Sequence, residues 1–160
     1  MRINYLFPHA YKKWGLIFFI PALVIGFLAA RDSMGFSPDW LDVNVFTIYQ
    51  KDFLGEEVLF GFIPNNILDE IMGVLIILSG LVLAFSREKV EDELISSIRL
   101  KSLVWATYFN YGVLLLAIVF VHDISFYWVM MFNLFTILVF FIIRFNWQLY
   151  RLRKSVSHEE

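Results

Sequence analysis

LVWATYFNYGVLLLAIVFV, residues 103–121, is followed after HDIS by FYWVMMFNLFTILVFFII, residues 126–143, and from 103 to 143 the only Asp, Glu, Lys or Arg is Asp123. A bilayer core of about 30 Å takes roughly 20 helical residues, with a tolerated range of about 17 to 25. Each run therefore reads as a helix that crosses a membrane, with a tight turn at His122-Asp123 between them. Working outward, residues 14–30 form a third charge-free run. A fourth, residues 71–85, is shorter and reaches spanning length when its helix begins near Asn66 and carries Asp69 and Glu70 in its first turn. Acids there meet the positive end of the helix dipole, which favours that placement. The expected fold is an all-α integral membrane protein, a four-transmembrane-helix bundle with spans at about 14–30, 67–85, 103–121 and 126–143.

Composition agrees with that reading. Hydrophobic residues make up 59% of the 160 and charged residues 18%, against about 45–50% and 25% in ordinary soluble domains. Mean hydropathy is +0.68, and the length suits a single membrane domain, 1–160. With no Cys, disulfide frameworks, thiolate metal sites and cysteine nucleophiles are excluded. A net charge of −2 removes any overall electrostatic case for nucleic acid. The spans hold no paired His for haem, and no nucleotide loop or Ser/His/Asp set is present. The expectation is a non-enzymatic protein with no cofactor and no metal.

Basic residues orient the bundle, because Lys and Arg accumulate on the cytoplasmic side of short loops. Arg2, Lys12 and Lys13 precede the first span, Arg87, Lys89, Arg99 and Lys101 separate the second from the third, and Arg144, Arg151, Arg153 and Lys154 follow the fourth. Only Arg31 and Lys51 of the thirteen lie elsewhere, so both termini are expected in the cytoplasm. The first apolar run is long and Ala29-Ala30 leads into Arg31-Asp32, so an uncleaved span is favoured over a signal peptide.

The expected external loop, residues 31–66, is acidic. With Asp69 and Glu70 it carries eight acids against two bases. Val43-Asn44-Val45-Phe46-Thr47-Ile48-Tyr49 and Val58-Leu59-Phe60-Gly61-Phe62-Ile63 are aromatic and β-branched runs bounded by turn formers. They read as a small β-hairpin. An isolated hairpin is marginal in water, so it needs the bundle or a partner to rest on.

Between the second and third spans, Ser86 is placed to cap a helix over 87–101, where Val90, Leu94, Ile95 and Ile98 form an apolar stripe and Arg87/Glu91 and Lys89/Glu93 stand four apart. Without Pro or Gly before span three, this predicts a cytoplasmic extension of helix three. Glu91, Asp92 and Glu93 point about 100° apart on a helix, so they do not converge on a cation and read as a solvated face or a docking surface. That face supplies the partner-docking candidates Glu91, Asp92, Glu93, Arg99 and Lys101. The intramembrane polar candidates are Asn110 and Asn133, each seven residues into its span from opposite sides and within roughly 5 Å in depth. An interhelical bond is their ordinary role. No span carries a charge away from its ends, which weakens ion or proton transport.

The run from Ser86 to Ala106 resembles a family of uncharacterised small four-span membrane proteins of Bacteroidota, as do Asn65-Asn66-Ile67-Leu68-Asp69-Glu70-Ile71 and Arg144-Phe145-Asn146. Asp92-Glu93-x-Ile95 with Arg99 and Lys101 also resembles a short signature of small bacterial membrane proteins that accompany helix-turn-helix regulators. The resemblance implies a multi-pass protein of the bacterial inner membrane and no known reaction. Two functions follow as expectations. One is an interaction protein that docks a cytoplasmic regulator or a larger membrane complex. The other is a small transporter or lipid-handling protein using the Asn110 and Asn133 region. Expected partners are the lipid bilayer and a protein, with homo-oligomers left open.

Overall fold

The computed structural model describes residues 6–30, 38–51 and 57–156. Helix α1 is Ala10–Ala30, strands β1 and β2 are Asp42–Lys51 and Glu57–Asn66, and helices α2, α3 and α4 are Leu68–Ala84, Glu93–Phe120 and Asp123–Val156. Three helical segments, Ala10–Ala29, Glu93–Phe120 and Ser125–Ser155, are long and apolar enough to cross a membrane. Their side chains stay bare, Leu115 at 64% and Leu134 at 70% exposure. Such surface would be costly in water and is what hydrocarbon covers. At 17 residues, α2 is the shortest of the four helices. The fold is thus helical with three long candidate spans and one small sheet, where four spans were expected.

The chain forms two compact units, one from Met1–Phe19 with Ile76–Glu160 and the other Ile20–Leu75. The boundaries fall within the residue ranges of α1 and α2.

In the second unit, β1 and β2 pair antiparallel, with Asp42 opposite Asn66, Phe46 opposite Phe62 and Lys51 opposite Glu57. The predicted hairpin is present, with its connecting residues 52–56 outside the described ones. Phe46 and Phe62 meet edge to face at 5.6 Å, an arrangement their ring quadrupoles favour. Asn66 joins sheet to helix. Its Oδ1 accepts the Leu68 N–H at 3.2 Å and its Nδ2 donates to Asp42 Oδ1 at 2.6 Å. Asp69 and Glu70 occupy the first turn of α2, as the dipole argument requires. Ala29, Leu41 and Leu68 form a small core with Ile25, Ile67 and Met72.

In the first unit, α1 and α2 run antiparallel and approach closely at two glycines. A Cβ on Gly15 would stand 3.1 Å from the Leu83 nitrogen, and one on Gly80 would stand 2.9 Å from the Phe19 ring. Helices α3 and α4 are also antiparallel. Phe109 stacks on Phe140 at 4.2 Å, and the Arg144 guanidinium lies 4.7 Å from the Trp105 ring centroid.

The expected helix over 87–101 is corrected at its start. Helix α2 ends at Ala84 and α3 begins at Glu93, so 87–92 is not helical and Ser86 caps nothing there. Two constraints explain the difference. The Phe7 N–H donates to Phe85 O and the Arg87 N–H donates to Phe7 O, both at 2.9 Å, which holds this backbone extended beside the N-terminal segment. Asp92 is the N-cap instead, its Oδ1 accepting the Ile95 N–H at 2.7 Å. The four-apart pairs Arg87/Glu91 and Lys89/Glu93 consequently lose their helical geometry, and Val90 leaves the stripe. At the far end, α4 runs to Val156, well past the apolar run that ends at Ile143. A helix outside hydrocarbon needs no charge-free sequence.

Candidate functional site

The start of α1, the end of α2, the start of α3 and the end of α4 converge on one cluster of charges in the first unit. Its centre is Glu88, whose side chain is only 3% exposed. Lys12 of α1 pairs with Oε1, and Arg153 of α4 reaches Oε2 at 3.3 Å. Lys12 also donates to Asn146 Oδ1 at 3.3 Å. Burying a carboxylate alone costs several kcal/mol, on the order of the whole stability of many domains, and these partners offset that cost.

A second buried charge lies beside it. Arg99 Nη2 donates to Ser86 O and to Glu91 Oε2, each at 3.2 Å. Its Nη1 stands 3.2 Å from Glu91 Oε1 as an ion pair without hydrogen-bond alignment. The guanidinium also lies 5.0 Å from the Phe145 ring centroid. Glu91 Oε2 accepts the Glu88 N–H as well, at 2.9 Å. Nδ1 of His9 donates to Arg87 O at 2.8 Å. The segment 86–91 is therefore held through both its backbone and its side chains, with every link in the first unit.

These contacts divide the five docking candidates. Arg99 is buried against Glu91 and Ser86, Glu91 is half-buried, and Asp92 is committed to its cap. Glu93 and Lys101 remain exposed on α3. The three acids are accordingly not one solvated face, since the non-helical turn sends Glu91 inward. Sequence reasoning missed Glu88, Lys12, Arg153 and Asn146 as a set. The one available signal was a cluster of acids within a basic segment just after a span, which does not single out Glu88 from Glu91, Asp92 and Glu93.

A cavity of about 820 Å³ opens beside the cluster. Lys12, Lys13, Lys89 and Arg153 line it as bases, and Glu88 and Asp92 as acids.

The structure does bring Asn110 and Asn133 together. Asn133 Nδ2 donates to the backbone oxygen of Asn110 at 3.4 Å, and Asn110 Oδ1 is buried without a hydrogen-bond partner. Thr107 and Thr136 donate back to Leu103 O and Phe132 O of their own helices. Those hydroxyls are satisfied locally and extend no chain of polar groups. Among the described residues, no three His, Asp or Glu side chains gather as a metal site. No family model, curated protein or solved structure matches this chain.

Proposed function

We propose that the chain is a non-enzymatic, multi-pass protein of the bacterial inner membrane that works by binding, with four spans, both termini in the cytoplasm, and a charged helix-end platform that docks a cytoplasmic regulator or a larger membrane complex. The observation that carries this reading is the convergence of all four helix ends on the Glu88 and Arg99 cluster. Helix α1 leaves the cluster and α2 returns to it, so a membrane crossed by α1 is crossed again by α2. Its 17 residues lie at the lower bound of a spanning helix. The basic residues concentrated at these ends support the cytoplasmic assignment, in line with the resemblance to small four-span proteins of Bacteroidota.

Exposed Leu94 and Leu100 with Glu93 and Lys101 supply mixed apolar and charged surface on α3 for a partner. A reporter fused after Glu160 should be cytoplasmic and one inserted near Asp52 external; an external Glu160 fusion overturns the topology. Joint reversal by Glu93→Lys and Lys101→Glu should remove a partner that co-purifies with the wild type in mild detergent. An unchanged partner set overturns docking on α3. The cavity favours lipid handling as a second reading.

A further inference from the structure

We propose that the cavity beside the Glu88 cluster holds the phosphate headgroup of an anionic phospholipid. Its volume of about 820 Å³ lies within the range of roughly 300–1,000 Å³ common for small-molecule sites. Four bases and two acids line it, leaving a surplus of positive charge. Both acids are already engaged, Glu88 by Lys12 and Arg153 and Asp92 by the start of α3. Lys13 and Lys89 form no ion pair among the described residues, so they are the cations with charge left to offer. His9, which immediately precedes α1, also lines the cavity and places the N-terminal end of that helix beside it, where the helix dipole favours an anion.

Apart from Asn146, which accepts from Lys12, the other lining residues are apolar. Leu16, Leu83, Leu149 and Leu152 give the cavity greasy walls next to its bases. Inorganic phosphate or a sugar phosphate would use only the bases, whereas a phospholipid matches both surfaces. The inference rests on the reading that these helix ends lie at the cytoplasmic face, where anionic lipid is concentrated and basic pockets between spans recognise headgroups.

The test uses the full chain purified in neutral detergent, with phosphatidylglycerol and phosphatidylcholine added in equal amounts and retained lipid read by native mass spectrometry. The expected result is one phosphatidylglycerol retained with about a tenfold or greater preference, because each nearby base favours an anionic headgroup. Lys13→Gln with Lys89→Gln should abolish that preference, and Lys13→Glu with Lys89→Glu should reverse it, with helicity and elution unchanged. Equal retention of the two lipids, or an unaltered preference in both variants, overturns the proposal. Displacement by glycerol phosphate as effective as by whole lipid also overturns it and assigns the site to a soluble phosphate. Retention in detergent does not depend on which membrane face the helix ends occupy. Its failure therefore leaves the topology standing, and an external Glu160 reporter removes the topology without altering the retained lipid.

Discussion

In the helix-end cluster the Glu88 side chain is 3% exposed, whereas in the hairpin Phe62 is 72% exposed. Each inverts the usual preference of its residue type, and for different reasons. Glu88 is inside because Lys12 and Arg153 replace the water it gives up. Phe62 is outside because a two-stranded sheet has no second layer to cover Phe46, Ile48, Phe60 and Phe62. The cluster is therefore complete within the chain. The hairpin presents a surface that the second unit by itself does not bury.

Removing one member of a buried ion pair is the strongest way to break this contrast. Arg99→Ala should cost about 3 kcal/mol, the lower end for a buried pair, because the half-buried Glu91 and the Ser86 carbonyl lose the buried guanidinium they share. Arg99→Lys should recover only part of that, since an ammonium lacks the planar fork that serves both acceptors. Unfolding in mixed micelles with increasing dodecyl sulfate reads both variants; a loss below about 1 kcal/mol for Arg99→Ala would reduce the cluster to the rank of a surface pair.

Asp92→Ala should cost about 1 kcal/mol, the usual loss for a helix N-cap. Hydrogen exchange should localise it to the first turn of α3, leaving the backbone pairing of Phe7 with Phe85 and Arg87 protected. Loss of protection at those amides as well would show that the cap and the charge cluster form one unit.

The smallest effects sharpen the comparison from both sides. Arg153→Gln should change stability by less than about 1 kcal/mol, because the Arg153 side chain is 69% exposed although it faces the buried Glu88. Phe62→Ala should cost about 0.5–1 kcal/mol through its pair with Phe46 in detergent. A much larger loss on transfer to bilayers would identify lipid as the cover of the hairpin face.

The apolar runs were legible because hydrocarbon demands a local property, the absence of charge over a spanning length. Residues 103–120 accordingly fall within α3, with Val121 as its C-cap, and residues 126–143 fall within α4. Asp69 and Glu70 marked the start of α2 for a similarly local reason, the helix dipole. The start of α3 was misplaced because two candidate caps, Ser86 and Asp92, compete in one polar segment. Helical periodicity does not register a strand-like contact with Phe7.

Sequence by itself determined the helical membrane character, the hairpin, and the segregation of bases toward one set of helix ends, since each depends on neighbouring residues and on solvent. Only the tertiary structure decided which charges lie inside. Lys12 meets Glu88 across 76 positions and Asn146 across 134. Whether a carboxylate is hydrated or buried depends on counterions brought from that far along the chain. No local pattern separates Glu88, which is buried, from Glu93, which is exposed five residues later.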